Sequence, residues 1–273
     1  MNKTKIEWCD SSWNPITGCL HGCEYCYARR IANRFKGYTT GGIMNLKHHR
    51  EETKELHVLD KALWRMPKKY YGGKLPKAPY PYGFDPTLHR YKLDEPQKVK
   101  KPQNIFVCSM ADLFGDWVPN EWMSEVFQAC EKAPQHNYLF LTKNPEKTSK
   151  YDDYIQHKRN WWFGMSATIQ SDLDKLSLMT LNANRFISIE PLLGEIDIEK
   201  RLCGCRVPFA DWVIIGAETG NRKGKVIPKA EWIEQIVNEC DKKNVPVFMK
   251  NSLIPIIGEN NMRRDFPRGL RRD

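Results

Sequence analysis

Three cysteines near the start of the chain, Cys19, Cys23 and Cys26, are spaced C-x3-C-x2-C. They lie in the stretch Trp13-Asn14-Pro15-Ile16-Thr17-Gly18-Cys19-Leu20-His21-Gly22-Cys23-Glu24-Tyr25-Cys26. Thiolates are soft ligands that suit iron–sulfur clusters and zinc. Three of them on one tight, glycine-containing loop can hold three irons of a four-iron cube. The fourth iron then has no protein ligand from the loop, and an open metal position marks a reactive site rather than a closed structural one. Zinc is the competing reading, with His21 or Cys9 as a fourth ligand. The ordinary zinc pattern has two separated ligand pairs, and no second pair at that spacing follows downstream. The spacing and its strand–loop–helix context therefore point to a 4Fe-4S cluster on Cys19, Cys23 and Cys26.

A loop of this kind needs a scaffold to present it. Trp13 to Ile16 reads as a first strand leading into it, and Tyr27 to Phe35 as the helix that follows, with Ile31 and Phe35 four apart on one face. Residues 37–103 break the alternation and read as an insertion, helical from Lys54 to Trp64, with short strands between Phe84 and Leu93. Regular alternation then resumes. Strands are expected at Asn104–Ser109, Tyr138–Leu141, Trp161–Ser166, Phe186–Ile189, Trp212–Ile215 and Val245–Met249. Helices are expected at Pro119–Lys132 with Asn120 as N-cap, Pro145–His157 with Asn144 as cap, Ser171–Leu181 and Lys229–Lys242. Such alternation implies parallel β/α units. The expected fold is α/β, a full or partial (β/α) TIM-type barrel in a single domain spanning 1–273. Chemistry on such barrels sits at the strand C-termini. Ser109, Asp112, Thr142, Lys143, Ser166, Thr168, Glu190, Glu218 and Lys250 each follow an apolar run there.

At 273 residues, 41% hydrophobic and 28% charged, the chain is long enough for one sizeable core. No apolar run of about eighteen residues occurs and the N-terminus carries no apolar leader, so no membrane span and a cytoplasmic location are expected. Nine cysteines in such a setting mean metal ligands or buried thiols rather than disulfides. Cys9, Cys108, Cys130 and Cys240 read as core. Cys203 and Cys205 form a C-x-C pair that reads as a loop with two thiols, or as part of a second cluster. Net charge is +10, which favours anionic partners. From Lys36 to Gln103 there are 15 Lys and Arg against 7 Asp and Glu, a local +8. Arg65 to Lys74 interleaves basic and aromatic residues, a composition suited to phosphate contact and base stacking. The tail from Met262 to Asp273 holds five arginines and reads as a flexible charged end.

With Tyr25 just before its last cysteine, the C-x3-C-x2-C loop resembles that of the radical SAM superfamily. Further blocks extend the likeness: Trp13-Asn14-Pro15, Ser109-Met110-Ala111-Asp112-Leu113-Phe114, Leu141-Thr142-Lys143-Asn144-Pro145, Ser188-Ile189-Glu190-Pro191-Leu192-Leu193-Gly194 and Gly216-Ala217-Glu218-Thr219-Gly220. With them the chain resembles a phage- and prophage-associated radical SAM-like family of unknown function, in the same order to about Lys250. The resemblance implies a barrel of the radical SAM kind and S-adenosylmethionine (SAM) beside the 4Fe-4S cluster. It implies reductive cleavage of SAM to a 5′-deoxyadenosyl radical that abstracts hydrogen from substrate, with the protein supplying position. A one-electron reductant such as flavodoxin or ferredoxin is the implied partner. By the same resemblance Tyr25 lies against the adenine by its main chain. Ser109 to Asp112 stands where related enzymes use a Gly-Gly-Glu-like turn for the methionyl amine. Lys143 pairs with the methionyl carboxylate, Ser166 and Thr168 with the ribose, and Glu190 and Glu218 with ribose or substrate. The acidic residue that often follows the serine in that branch is replaced here by Ala167-Thr168.

Three functions remain open on the sequence. One is a radical SAM enzyme that modifies or repairs a nucleic acid or nucleotide. Another is a radical SAM enzyme acting on a peptide or small metabolite. The third is a non-enzymatic metal-containing protein that binds nucleic acid.

Overall fold

The computed structural model describes residues 1–40, 43–44, 52–65, 76–179, 182–198 and 210–270. The fold is mixed α/β, built on a parallel sheet of the partial-barrel kind. Its strand order is β1 (Asn2–Lys3), β2 (Ser11–Trp13), β8 (Asn104–Val107), β9 (Asn137–Thr142), β10 (Trp161–Ser166), β11 (Asn184–Ile189), β12 (Trp212–Ile215) and β13 (Val247–Met249). Only β1 is antiparallel to its neighbour among the pairs whose registers are resolved. A second sheet has the order β3 (Ile16–Thr17), β7 (Thr87–His89) and β6 (His57–Leu59), and β4 (Thr39–Thr40) pairs with β5 (Ile43–Met44). Residue contacts divide the chain into two compact units. One comprises Met1–Lys3, Ser11–Pro102 and Phe106–Gln135, the other Thr4–Asp10, Gln103–Ile105 and His136–Asp273.

In the first unit, the expected strand from Trp13 to Ile16 is two strands. β2 ends at Trp13 and β3 starts at Ile16. Between them Pro15 has no N–H to give to a ladder, and its carbonyl accepts from His89 instead (2.7 Å). The first helix, α1 (Tyr27–Arg34), buries Ala28 and Ala32. Ile31 and Phe35 do share a face, but that face is exposed. The helix expected at 54–64 is absent. Lys54 has φ +61, and its N–H and that of Thr53 are taken by the buried Asp85 carboxylate (2.8 and 3.0 Å). The chain then runs extended as β6, parallel to β7. The second helix, α2 (Asn120–Glu131), buries Trp122, Met123, Val126, Phe127 and Cys130. Its N-cap position is Pro119 rather than Asn120, with no side-chain capping bond.

In the second unit, β9 to β13 run parallel in register. Their sequences are nearly continuous apolar runs, as expected of strands covered on both faces, and Trp161, Phe163, Trp212, Val213, Ile214 and Ile215 are all buried. Phe140 stacks on Phe163 at 5.0 Å, and Trp8 packs against Phe186 and Trp212. The segment expected as one helix from Pro145 to His157 is two short ones, α3 (Pro145–Ser149) and α4 (Asp152–Ile155). After β10, α5 (Gln170–Leu173) passes into a 3-10 turn, Asp174–Leu178. The long helix α6 (Ala230–Lys242) buries Ile233, Ile236 and Cys240 at helical spacing.

The basic tail is not a free end as far as it is described. Arg263 O accepts from Met249 N–H (2.8 Å) and Asp265 N–H donates to Val247 O (3.0 Å). The segment therefore adds an extended run along β13, which would otherwise present an open edge. Arg263 pairs with Asp241 and Asp265, and Arg264 with Glu7. Leu270 is buried, and its carbonyl takes the Asn104 amide (3.0 Å). Cys9, Cys108, Cys130 and Cys240 are buried thiols as expected. Cys203, Cys205, Lys68, Lys69, Tyr70, Tyr71 and Lys74 lie outside the described residues. No helix among the described residues is long and apolar enough to cross a membrane.

Close strand packing is tested at Gly164. A Cβ there would meet the buried Phe186 ring at 2.3 Å, whereas one at Gly194 meets only Ile169 at 3.7 Å. Chemical denaturation should show Gly164→Ala destabilised by about 1–3 kcal/mol, the usual cost of overpacking. Gly194→Ala should stay within about 0.5 kcal/mol of the parent.

Candidate functional site

The cysteine loop begins at a backbone clamp. Gly18 has φ +91, and a Cβ at this position would lie 2.3 Å from the Asp85 carbonyl oxygen. Its N–H donates to Met110 O (2.9 Å), and Cys19 N–H donates to Phe84 O (3.3 Å). Only glycine combines that φ with that approach. At the other end of the loop Cys26 is the N-cap of α1, and its Sγ accepts from Arg29 N–H (3.3 Å). Cys19 and Cys26 pack against Ala28, Ala32, Phe84 and Met110. Cys23 and Tyr25 are half-buried on the same loop.

The three thiols form no disulfide. Burial pushes the Cys19 thiol up to about 12, against a hydrogen bond from the His21 N–H, and the neighbouring Asp112, Cys26 and Cys23 push it further. Burial likewise raises Cys26, against hydrogen bonds from the Arg29 and Ala28 N–H groups. The sulfurs thus lie within one another's electrostatic field, and two of them receive backbone N–H donors. A bound metal cation reverses the burial cost, since a coordinating thiol is deprotonated outright. Soft sulfur donors with N–H groups aimed at them fit a thiolate-bound iron–sulfur cluster. Among the described residues no three His, Cys, Asp or Glu side chains are gathered around a single ion. A cube makes a different demand, because each thiolate binds its own iron.

Beside the loop, Cys108 has φ +57, and the turn after β8 closes with Ala111 N–H on Cys108 O (2.9 Å). This turn presents Ser109 and Asp112. Asp112 is buried; its Oδ2 lies 2.7 Å from His21 Nε2 and its Oδ1 accepts from Phe114 N–H (3.0 Å). His21 also meets the Trp117 ring edge-on at 4.9 Å. Ser109 Oγ and Met110 N–H both donate to Asn14 Oδ1 (3.2 and 2.9 Å), and Tyr27 OH donates to Ser109 O (2.7 Å). Cys19, Cys23, Cys26, Tyr25, Ser109 and Asp112 are therefore brought together in the first unit. Asn14 and His21 join them as orienting residues. Sequence reasoning did not assign them those roles, although both stand in the quoted motif.

Lys143, Ser166, Thr168, Glu190 and Glu218 belong to the second unit, each at or just after the C-terminal end of a strand. Thr168 donates through its N–H and hydroxyl to Asp172 Oδ2 (3.0 and 2.7 Å). Burial opposes ionisation of Asp172, but the Thr168 donors, with Lys143 and Lys175, hold it below the usual carboxylate range. Asp172 is thus a carboxylate beside Thr168, four residues on. Glu190 is ion-paired with Lys250. A Cβ at Gly216 would crowd both partners, at 3.1 Å from Lys250 Cδ and 3.3 Å from Glu190 Cγ. Glu218, 4% exposed, is gripped bidentately by Arg222 at 2.7 and 2.8 Å. Asp172 and Arg222, which sequence reasoning did not single out, each stand four residues after the group they hold, a nearness that could have pointed to them.

The Glu218–Arg222 fork makes a pH prediction. Arg222 holds the Glu218 carboxyl below its ordinary 4.5. A depressed folded value means stability that is complete above the unfolded value and lost as pH falls through the folded one. Arg222→Gln should cost about 1–3 kcal/mol at neutral pH by removing the charge partner of a buried carboxylate. Denaturation at a series of pH values should show the gap from the parent narrowing below pH 4.5. A gap independent of pH would remove the charge pairing as its cause.

No curated protein and no solved structure shows a significant match to the chain. A protein family of unknown function, DUF5131, matches over residues 3–76 and 73–254. That is most of the sequence, and the chain belongs to the DUF5131 family.

Proposed function

We propose that the chain is a radical SAM enzyme carrying a 4Fe-4S cluster on Cys19, Cys23 and Cys26, with a nucleic acid or nucleotide as substrate. The observation that carries the reading is the loop itself. It holds three undisulfided cysteines between a glycine clamp and a helix N-terminus, and backbone N–H groups are directed at two of the sulfurs. Such a group, when bound with SAM, supplies one-electron cleavage of the sulfonium and hence a radical that abstracts hydrogen.

The protein's share is to hold and to orient. Gly18 fixes where the loop starts, and Cys26, as the cap of α1, fixes where it ends. Asp112 holds His21 by its ring nitrogen, and so ties the middle of the loop to the turn after β8. Asn14 holds the same turn through Ser109 and Met110. In this proposal Ser109 and Asp112 serve the methionyl amine and Tyr25 serves the adenine. In the second unit Lys143, Ser166, Thr168, Glu190 and Glu218 stand at or just after strand ends, the positions for which the resemblance implies cofactor contacts. Asp172 supplies beside Thr168 the acidic group that Ala167-Thr168 lack in sequence. The substrate class rests on charge: +10 over the chain, with a local +8 between Lys36 and Gln103.

Protein purified without oxygen and reconstituted with iron and sulfide should be brown and bind about four irons. Cys23→Ala should lose them. After dithionite reduction the parent should convert SAM to 5′-deoxyadenosine, slowly even without substrate. Asp112→Ala should keep its iron and bind SAM more weakly. Stoichiometric zinc with no iron after reconstitution overturns the proposal, and normal SAM affinity in Asp112→Ala removes that residue from the amine site.

A further inference from the structure

We infer that the outward face of α1 binds single-stranded nucleic acid. The inference deepens the proposed function, on which it rests for the substrate class, and places the contact on a surface of the first unit. Tyr27 and Ile31 on the helix and Phe35 at its C-cap recur every four residues and so line one stripe. They are exposed to 44%, 38% and 38% respectively. Large apolar side chains gathered on one exposed stripe mark an interaction surface more often than scattered ones do.

The stripe is bordered by positive charge. Arg30 and Arg34 are exposed on the same side of the helix. The segment from Tyr27 to Lys36 contains Arg29, Arg30, Arg34 and Lys36 and no acidic residue. Arg29 is turned to Glu52, whereas Arg30 and Arg34 have no carboxylate partner among the described residues. Around Phe35, the Arg34 guanidinium lies 5.4 Å and that of Arg65 5.7 Å from the ring centroid. Aromatic faces and guanidinium planes are the groups on which unstacked bases lie. The same arginines reach phosphates. The Tyr27 ring is fixed in place by its bond to Ser109 O (2.7 Å), which lowers the ordering cost of a stacking contact. A duplex keeps its base faces inside the stack, so a surface of ring and guanidinium planes beside cations suits a single strand. The face begins one residue after Cys26, so a strand lying along α1 runs close to the proposed cluster loop.

The test is fluorescence anisotropy of the full chain with labelled single-stranded DNA and RNA oligonucleotides and a duplex of the same sequence, over a range of salt. It needs neither iron nor SAM. Single strands should bind more tightly than the duplex. The Arg30→Gln, Arg34→Gln double variant should weaken binding and flatten the salt dependence by about 1.4 units, at about 0.7 per phosphate on a single strand. Phe35→Ala should bind about five- to a hundredfold more weakly at unchanged slope, as for a lost stacking contact. Lys132→Gln, an exposed charge beyond α2, serves as the control and should change neither. Circular dichroism melts check that each variant is folded, and if Phe35→Ala is not, the arginine variant alone decides. The inference is overturned by no binding at low salt, by preference for the duplex, or by a Lys132→Gln effect equal to that of the arginines. It is also overturned if the chain is a dimer in solution that Phe35→Ala dissociates, since the stripe is then an interface between copies. Loss of binding to α1 with 5′-deoxyadenosine formation intact leaves the enzyme reading standing. Cys23→Ala that binds oligonucleotide but holds no iron separates the two in the other direction.

Discussion

The cysteine loop depends on a close approach of backbones at Gly18. A carbonyl from Asp85 occupies the space a side chain would need, while the Gly18 N–H is held by Met110. Three separate stretches, 16–19, 84–85 and 108–112, therefore meet at one residue. The Asp85 carboxylate extends the same junction by collecting the Thr53 and Lys54 N–H groups. The residues around Gly18 thus couple the start of the cysteine loop to the insertion and to the turn that carries Asp112. Precise placement of ligands on a loop requires such over-determination, since a loop alone is soft.

The thiols pose an electrostatic problem that this frame sets up without resolving. Burial and neighbouring negative charge favour protonated sulfur at Cys19 and Cys26. Backbone N–H donors from His21, Ala28 and Arg29 favour the thiolate. A bound metal cation that accepts soft sulfur donors would settle the balance toward thiolate, and its binding would release protons. The second unit handles its carboxylates differently; of the three, Glu218 is buried and Glu190 and Asp172 are half-buried. Glu190 with Lys250, Glu218 with Arg222 and Asp172 with Thr168 are each already matched by a partner from the same unit. A buried carboxylate without such a partner would shift its pKa and neutralise instead.

Local patterns were legible where one neighbour decides the conformation. Trp161–Ser166 and Trp212–Ile215 were read to the residue, because central parallel strands are continuous apolar runs bounded by polar turns. Boundaries failed where a distant group competed. The helix pattern at 54–64 yielded to Asp85, 31 residues away from Lys54, whose carboxylate holds the Thr53 and Lys54 N–H groups with Lys54 at φ +61, outside the helical region. The stripe Ile31–Phe35 had the right period but faces outward, because Ala28 and Ala32 allow the closer approach to Phe84 and Met110. The arginine-rich tail was compositionally a free end, yet it runs beside β13 because that edge offers unpaired backbone groups.

The sequence by itself determined the alternating α/β class, the spacing of Cys19, Cys23 and Cys26, and the polar residues at the strand ends. These follow from periodicities of two and 3.6 and from ligand types that lie close together in the chain. Only the tertiary structure decided which polar groups hold one another: Asp112 with His21, Asn14 with Ser109, Glu190 with Lys250. It also decided that the α1 stripe is exposed. Partners 60 or 91 residues apart leave no local trace, because a hydrogen bond or ion pair depends on distance in space, and the folded backbone alone fixes that distance.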